Sequence, residues 1–318
     1  MKTILEIKNL HVHFPINIGT VRAVQGVDLE LRQGEVMGLV GESGCGKSTL
    51  GFSILRLLRP PGEIVEGEIL YHGRDLVRME EKELLSLRGN NISMIFQDPL
   101  TSLNPLFRID EQFIETIKTH DPQISKQEAF KKAAQVLESL GISPERLLEY
   151  PHQMSGGMRQ RIMIGMALVL DPDLLIADEP TTSLDVIVEA QFLDLLNELR
   201  RQYDLTILLI THNLGIVAQL ADRVTVMYGG TIAETGKAES IFGNPLHPYT
   251  QGLLASIPNI KLDQPELHTM EGSPPDLVAP PPGCVFHPRC PRAMDICKKE
   301  RPKAFGKDDR IVRCWLYG

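Results

Sequence analysis

A glycine-rich stretch constrains the fold of this 318-residue chain more than any other part of its sequence. Residues 41–49 read Gly-Glu-Ser-Gly-Cys-Gly-Lys-Ser-Thr and fit the phosphate-loop pattern G-x-x-x-x-G-K-[ST]. The apolar run 36–40 before the loop predicts a short buried strand. After the loop, Leu50, Ile54 and Leu57 recur at helical spacing. Strand, glycine loop and helix in this order are the context that the motif requires, so the sequence predicts a nucleotide-binding site.

Each part of the loop has a predicted role toward phosphate. Its glycines allow backbone N–H groups to point inward at the anion, and the positive end of the following helix faces the same charge. Lys47 is expected to reach the β- and γ-phosphates, and the Ser48 hydroxyl to hold Mg²⁺. The alternative is a glycine turn followed by a chance Lys-Ser pair. The residues assigned to nucleotide contact are Gly41, Ser43, Gly44, Cys45, Gly46, Lys47, Ser48 and Thr49.

Charge and hydropathy narrow the class of protein. The net charge is −8 and the isoelectric point about 5.6, which argues against a protein that coats nucleic acid. The longest apolar run, residues 162–170, is far shorter than the ~18 residues that cross a bilayer. The N-terminal residues lack the long apolar core of a signal peptide. We therefore expect a soluble, cytoplasmic protein with no nucleic-acid partner.

The pattern of apolar runs predicts an α/β fold. Residues 4–14 and 21–31 alternate loosely and predict an antiparallel flap. The all-apolar run 174–177 is typical of a strand buried on both faces of a parallel sheet, and residues 206–210 predict the next buried strand. Apolar residues on both sides of Gly229-Gly230 predict a hairpin.

Two regions depart from this core pattern. Residues from about 98 to 160 read as an inserted helical subdomain, whose clearest helix covers 125–140 and has one apolar face. Prolines become dense toward the C-terminus. We therefore predict an ATPase-like domain over 1–255 and a small proline-rich extension over 256–318.

An acidic pair follows the predicted strand 174–177. In open α/β sheets, ligands bind at the carboxyl ends of the strands. Asp178 is therefore expected to hold Mg²⁺ through water, and Glu179 to accept a proton from the attacking water. An ordinary acidic strand end is the alternative, and the phosphate loop earlier in the chain argues against it.

Several further motifs point to one family. Residues 154–161, Met-Ser-Gly-Gly-Met-Arg-Gln-Arg, resemble the signature motif of ATP-binding cassette ATPases, although Met158 stands where that motif usually has glutamine. Residues 183–185 resemble the family's D-loop, Thr211-His212 its switch histidine and Gln97 its Q-loop glutamine. All occur in the family's order, and the resemblance covers roughly residues 4–255.

The resemblance implies a phosphate-loop NTPase core of the RecA type and a mechanism that needs two cassettes facing each other head to tail. ATP would lie between Lys47 and Ser48 of one cassette and the signature motif of the other, with Mg²⁺ as cofactor. Glu179 would be the general base, and His212 would hold the γ-phosphate and orient Glu179. An unliganded strand-end histidine is the alternative for His212. Gln97 would touch Mg²⁺ or the attacking water. Phe14 either stacks on adenine or belongs to the core. The other implied nucleotide contacts are Ser155, Gly156 and Gly157 of the signature motif and Asp185 of the D-loop.

Two segments refine the resemblance to importers of peptides and nickel, namely residues 97–105 and 244–250. This branch implies three kinds of partner: a second cassette ATPase that forms a heterodimer, two membrane permease subunits, and indirectly a solute-binding protein. The expected location is the cytoplasmic face of the cell membrane, and the expected cargo is dipeptides or oligopeptides. The alternatives are nickel or oligosaccharide import, a soluble non-transport cassette ATPase, and a non-cassette phosphate-loop kinase.

Four of the five cysteines lie in the proline-rich extension. Their spacing is C-x5-C-x6-C-x16-C, and thiolates are soft ligands for iron–sulfur clusters or zinc. Zinc sites favour a closer C-x2–4-C knuckle, which is missing here. The tail resembles that of dipeptide and oligopeptide importer ATPases, some of which carry a [4Fe–4S] cluster there. We therefore predict a [4Fe–4S] cluster, with Zn²⁺ or four buried free thiols as the alternatives. The predicted ligands are Cys284, Cys290, Cys297 and Cys314.

Overall fold

A computed structural model of the chain describes residues 2–97, 103–181, 186–256 and 270–318. The chain divides into two compact units. The first contains Met1–Met79 together with Leu209–Gly318, and the second contains Glu80–Leu208. No helix in the described ranges is long and apolar enough to cross a membrane.

The first unit contains an antiparallel sheet near the N-terminus of the chain. Strand β1 (Thr3–Ile16) pairs with β2 (Gly19–Arg32) on one side and with β4 (Glu63–Tyr71) on the other. A two-residue strand β5 (Arg74–Asp75) pairs with β4. The antiparallel flap predicted over 4–14 and 21–31 is confirmed, and both strands are longer than predicted.

A second set of strands in the same unit carries the phosphate loop. Strand β3 (Val36–Val40) is buried along its whole length and runs parallel to β9 (Arg223–Tyr228). Strand β10 (Thr231–Lys237) pairs with β9 as the predicted hairpin around Gly229-Gly230. The C-terminal strands β12 (Arg310–Val312) and β11 (Phe305–Lys307) then extend this set beyond β10.

The helix after the phosphate loop is shorter than predicted. Helix α1 (Lys47–Ile54) ends before Leu57, because Arg56 adopts a left-handed backbone conformation with φ 50°. Leu57 therefore lies beyond the turn that ends the helix. The other helices of the unit are α7 (Leu214–Leu220), α8 (Ala238–Gly243) and α9 (Pro248–Ala255).

The second unit has two parallel strands, β6 (Ile92–Ile95) and β7 (Leu174–Asp178). All residues of β7 are buried, and so are those of β6 except the half-buried Met94. The predicted helix over 125–140 is confirmed: Ser125 caps it by accepting a hydrogen bond from the Glu128 N–H at 3.1 Å, and its apolar face is buried. Strand β8 (Thr206–Ile210) crosses the boundary between the two units. The helices of the unit are α2 (Glu81–Leu87), α3 (Ile109–His120), α4 (Lys126–Ser139), α5 (Gly156–Leu168) and α6 (Val186–Tyr203).

A buried carboxylate on β10 anchors the segment that precedes α9. The two oxygens of Glu234, which is fully buried, accept hydrogen bonds from the backbone N–H groups of Leu246 and His247, both at 2.9 Å. Burial lowers the pKa of His247 to about 4. The neutral ring therefore accepts a hydrogen bond from the Tyr249 N–H through Nδ1, at 3.0 Å, and caps α9.

This anchor predicts a large loss of stability for Glu234→Ala. Two buried N–H groups would lose their acceptors, so we expect the free energy of unfolding to fall by about 2–4 kcal/mol in denaturant titrations. Glu239→Ala removes an exposed carboxylate from the first turn of α8 and should change stability by only about 0.5 kcal/mol. Equal effects of the two substitutions would contradict the anchoring role.

Candidate nucleotide site

The phosphate loop joins β3 to α1, as predicted, and its glycines adopt conformations that other residues avoid. The φ angles of Gly41, Gly44 and Gly46 are 151°, 77° and 104°. A Cβ at Gly41 would collide with the Met227 carbonyl oxygen, and a Cβ at Gly46 with that of Ala23. The loop therefore has its shape only because these positions lack side chains.

The predicted lysine lies over the loop. The Nζ atom of Lys47 donates to the carbonyl oxygens of Gly41 at 2.8 Å and Glu42 at 3.0 Å, and the side chain is buried. The neighbouring Cys45 is also buried, and burial raises the pKa of its thiol. Its carbonyl oxygen accepts a hydrogen bond from the Gly230 N–H at 3.0 Å. The turn between β9 and β10 is therefore hydrogen-bonded to the backbone of the phosphate loop.

The remaining loop residues are more accessible. Ser43 and Gly44 are exposed, whereas Ser48 and Thr49 in the first turn of α1 are half-buried. A hydroxyl at the position of Ser48 suits Mg²⁺, which prefers oxygen ligands.

Two other predicted contacts belong to the same unit as the loop. The Thr211 N–H donates to the Leu39 carbonyl oxygen at 3.2 Å, which joins the segment just before His212 to the strand that leads into the loop. His212 itself is exposed. Phe14 is half-buried on β1, and a Cβ at Gly62 would collide with its ring. Phe14 thus has a packing role, and adenine stacking stays a prediction.

The acidic pair and the predicted glutamine share one edge of the second unit. Strands β6 and β7 are parallel, with Ile95 opposite Ala177. Gln97 and Glu179 each lie two residues beyond these partners and therefore end at the same edge. Asp178 and Glu179 are both buried. Glu179 has a φ of 48°, a strained conformation that is concentrated at functional sites.

The predicted signature motif opens α5. Ser155 is the N-cap, and its Oγ accepts a hydrogen bond from the Met158 N–H at 3.3 Å. Ser155 and Gly156 are exposed, and Gly157 is half-buried. The N-terminal N–H groups of α5 are therefore available to an anion. Because Met158 contributes its backbone to the cap, the departure from glutamine leaves the cap intact.

The structure does not show the metal site predicted at the four C-terminal cysteines. Among the residues that the structure describes, no three His, Cys, Asp or Glu side chains are grouped closely enough to hold a metal ion. Cys314 instead packs with Leu246 and Val312 as a small apolar residue. The cysteines do lie near one another. The Cys284 N–H donates to the Cys297 carbonyl oxygen at 2.8 Å, and burial together with the other thiolates raises the pKa of Cys284 to about 11.

Two sets of contacts near the site were not predicted from the sequence, and one predicted site residue cannot be placed. In the second unit, Nε2 of the buried Gln160 on α5 donates to the Pro180 carbonyl oxygen at 2.5 Å, next to Glu179. In the first unit, residues from the C-terminal part of the chain contact Glu42 of the phosphate loop. No sequence pattern signals either set, because the partners are far apart in the chain. The predicted D-loop residue Asp185 lies outside the described residues.

Family profiles match two parts of the chain. The ABC transporter profile matches residues 24–182. The profile of the oligopeptide/dipeptide transporter C-terminal region matches residues 233–297.

Curated relatives match almost the whole chain. The dipeptide transport ATP-binding protein DppD of Bacillus subtilis is 50% identical over 99% of this chain and 95% of its own length. The oligopeptide transport ATP-binding protein OppD of Bacillus subtilis is 48% identical over 98% of this chain and 88% of its own. The oligopeptide transport ATP-binding protein OppD of Salmonella typhimurium is 46% identical over 98% and 93%.

Solved structures support the same fold. A dimeric, post-hydrolysis ATP-binding cassette bound to ADP and Pi is 26% identical, covers 74% of this chain and 99% of its own, and has a TM-score of 0.66. The protein cbiO1 of Clostridium perfringens, part of the ABC transporter complex cbiONQ, is 27% identical over 77% and 92%, also with a TM-score of 0.66.

The geometry of the loop predicts that Gly46→Ala abolishes nucleotide binding. The new Cβ would collide with the Ala23 carbonyl oxygen in a backbone conformation that alanine avoids. We expect MgADP affinity, measured by calorimetry, to fall at least about 100-fold, because the loop must move. Gly73→Ala is the matched control, since its φ is 78° and its Cβ would meet nothing within 4 Å. That variant should lose only about 1 kcal/mol of stability and bind MgADP normally. Normal binding by Gly46→Ala would contradict the assigned site.

Proposed function

The chain belongs to the ABC transporter family, and from this premise we propose that it is the ATP-hydrolysing subunit of an importer for dipeptides or oligopeptides. Relatives named as dipeptide and oligopeptide transport ATP-binding proteins cover it almost end to end. The match of residues 233–297 to the oligopeptide/dipeptide C-terminal region supports peptides over nickel or oligosaccharides. It also supports a transport subunit over a soluble ATPase or a kinase.

One structural observation carries the assignment of hydrolysis. The buried Glu179 is held in a strained conformation directly after a parallel strand, at the edge where ligands of such sheets bind. A carboxylate in this position is suited to accept a proton from water. The water oxygen would form a bond to the γ-phosphorus while the bond from that phosphorus to the β–γ bridging oxygen breaks. ADP and inorganic phosphate are the products.

The other residues would bind and orient the nucleotide. Lys47 would exchange its contacts with loop carbonyl oxygens for the β- and γ-phosphates, and backbone N–H groups of the loop would bind the same oxygens. His212 would hold the γ-phosphate and orient Glu179. Phe14 would stack on the adenine.

The donor set fits Mg²⁺, which neutralises phosphate charge when bound. Ser48 offers a hydroxyl oxygen, Asp178 a buried carboxylate and Gln97 a side-chain amide oxygen. Hard oxygen donors of this kind are those that Mg²⁺ prefers.

We propose that the working unit contains two cassettes arranged head to tail. The exposed N-terminus of α5, with Ser155, Gly156 and Gly157, would bind the γ-phosphate held by the partner's loop, and Asp185 would lie at the same interface. The similar cassette that was solved as a dimer with ADP and Pi supports a unit of two cassettes. The partner is proposed to be a different cassette, and the pair to act with two permease subunits at the cytoplasmic face of the membrane and, indirectly, with a solute-binding protein.

The C-terminal cysteines are proposed to bind a [4Fe–4S] cluster, with Zn²⁺ as the alternative. Support comes from their gathering in one short tail and from the backbone hydrogen bond between Cys284 and Cys297. The arrangement of thiols described above does not itself fit a metal ion. No step of ATP hydrolysis is assigned to the cluster.

The role of Glu179 predicts that Glu179→Gln binds ATP but hydrolyses it slowly. Glutamine keeps the shape of the side chain and cannot accept the proton, so we expect turnover to fall by about 10²–10⁴-fold with nearly unchanged ATP affinity. Glu198→Gln on α6 changes an exposed carboxylate of the same unit and should hydrolyse ATP normally. Phosphate release and equilibrium binding provide the two measurements. Turnover of Glu179→Gln near that of wild type would remove Glu179 from the base role.

The cysteine proposal predicts that anaerobically purified protein contains about four iron and four sulfide ions per chain. Cys290→Ser should lose most of the iron, whereas Cys45→Ser, which changes the separate loop cysteine, should keep it. Iron, sulfide and zinc assays on the full chain distinguish the alternatives. A colourless protein without iron rules out the cluster, and one zinc per chain in its place would support the Zn²⁺ site.

A further inference from the structure

An arginine from the C-terminal extension forms an ion pair with the phosphate loop. The guanidinium of Arg289 donates to both carboxylate oxygens of Glu42, from Nη1 at 2.8 Å and from Nη2 at 3.1 Å. Glu42 is the second residue of the loop motif, directly after Gly41. The two-point geometry fixes the direction of the carboxylate as well as balancing its charge.

The arginine is itself held by several groups. Its Nε donates to the Glu271 carbonyl oxygen at 3.0 Å, and its Nη1 also lies 3.3 Å from the Tyr228 hydroxyl. Its side chain is only 6% exposed, whereas that of Glu42 is 24% exposed. Because of this burial, water screens the attraction between the two charges less than it does in an exposed ion pair.

A second contact fixes the backbone of the same loop residue. The Glu42 N–H donates to the Tyr249 hydroxyl at 2.9 Å. The rings of Tyr228, Tyr249 and Phe286 pack together, with centroids 4.5 to 5.4 Å apart. Glu42 is therefore held at both its backbone and its side chain by residues from the C-terminal part of the chain.

The charge of Glu42 would otherwise act against nucleotide binding. A carboxylate in a phosphate loop repels the phosphates of ATP. The Nζ atom of Lys47 already donates to the backbone carbonyl oxygen of Glu42 at 3.0 Å, so the ammonium lies beside this residue. A Glu42 carboxylate without Arg289 would therefore be an intramolecular competitor for the lysine that binds phosphate.

We propose that Arg289 is a positioning residue for nucleotide binding, which neutralises Glu42, holds its carboxylate in one direction and leaves Lys47 free to bind the β- and γ-phosphates. The C-terminal extension then contributes directly to the nucleotide affinity of its own subunit. This inference rests on the proposed function of the loop as an ATP site.

The test measures MgADP binding to the full chain by calorimetry, beginning with the wild type. Arg289→Ala should weaken binding about five- to tenfold, because Glu42 then competes for Lys47. Glu42→Gln removes the competing charge. The double variant with both substitutions should therefore bind within about twofold of Glu42→Gln alone, a rescue that a merely structural role would not produce.

Arg313→Ala is the matched control. It removes another ion pair between the C-terminal extension and the rest of the first unit, from Arg313 to Asp28 of β2 at 2.7 Å. Asp28 lies outside the phosphate loop. MgADP affinity of this variant should stay within about twofold of wild type. Arg289→Lys, which keeps the charge but not the two-point geometry, should lie between wild type and Arg289→Ala.

The outcomes separate the inference from the function on which it rests. A wild-type chain that fails to bind MgADP would overturn the ATP site itself. Wild-type binding with equally tight binding by Arg289→Ala would overturn the role of Arg289, and so would a double variant as weak as Arg289→Ala. If Arg289→Ala does not fold, Arg289→Gln with and without Glu42→Gln decides by the same comparison.

Discussion

Backbone carbonyl oxygens of two neighbouring strands lie where side chains of the phosphate loop would otherwise be. Gly41 packs against the carbonyl of Met227 on β9, and Gly46 against that of Ala23 on β2. These strands belong to the two different sets of the first unit. The glycine motif permits the loop conformation, but the loop is held in it by both sets of strands together. The space available to the loop is therefore limited by strands of both sets, β9 and β2.

The acidic edge of the second unit depends on a comparable restraint. A left-handed conformation at a residue with a side chain costs about 1–2 kcal/mol, and Glu179 adopts one at the end of β7. The next residue, Pro180, is held through its carbonyl oxygen by Gln160 of α5. The helix that begins with the signature motif therefore helps to hold the strained carboxylate. This hydrogen bond joins the helix that begins after Ser155 to the segment directly after Glu179, the two residues proposed to bind phosphate and to accept the proton.

Local features of the sequence were sufficient to predict most of the secondary structure and the elements beside which the proposed site residues lie. The strands 36–40 and 206–210 are short runs of largely apolar residues, and Ser125 and Ser155 mark helix starts by their capping chemistry. The end of α1 was wrong, because the backbone of Arg56 turns away where apolar spacing continues. Contacts such as Arg289 with Glu42, 247 residues apart, leave no local pattern and follow only from the packed fold. The cysteine spacing likewise could not reveal that Cys314 packs as an apolar residue.

The C-terminal extension is structurally continuous with the nucleotide-binding unit. Strand β12 pairs with β10, and β10 pairs with β9. Strand β9 in turn pairs with β3, the strand that leads into the phosphate loop. Glu234 on β10 anchors the segment before α9, and Tyr249 of that helix contacts the backbone of Glu42. Loss of the extension would thus leave β10 paired with β9 alone and would leave Glu42 without the guanidinium of Arg289. The sequence predicts the extension as a separate region, but in the fold it contacts the phosphate loop through Arg289 and extends the neighbouring strands through β12.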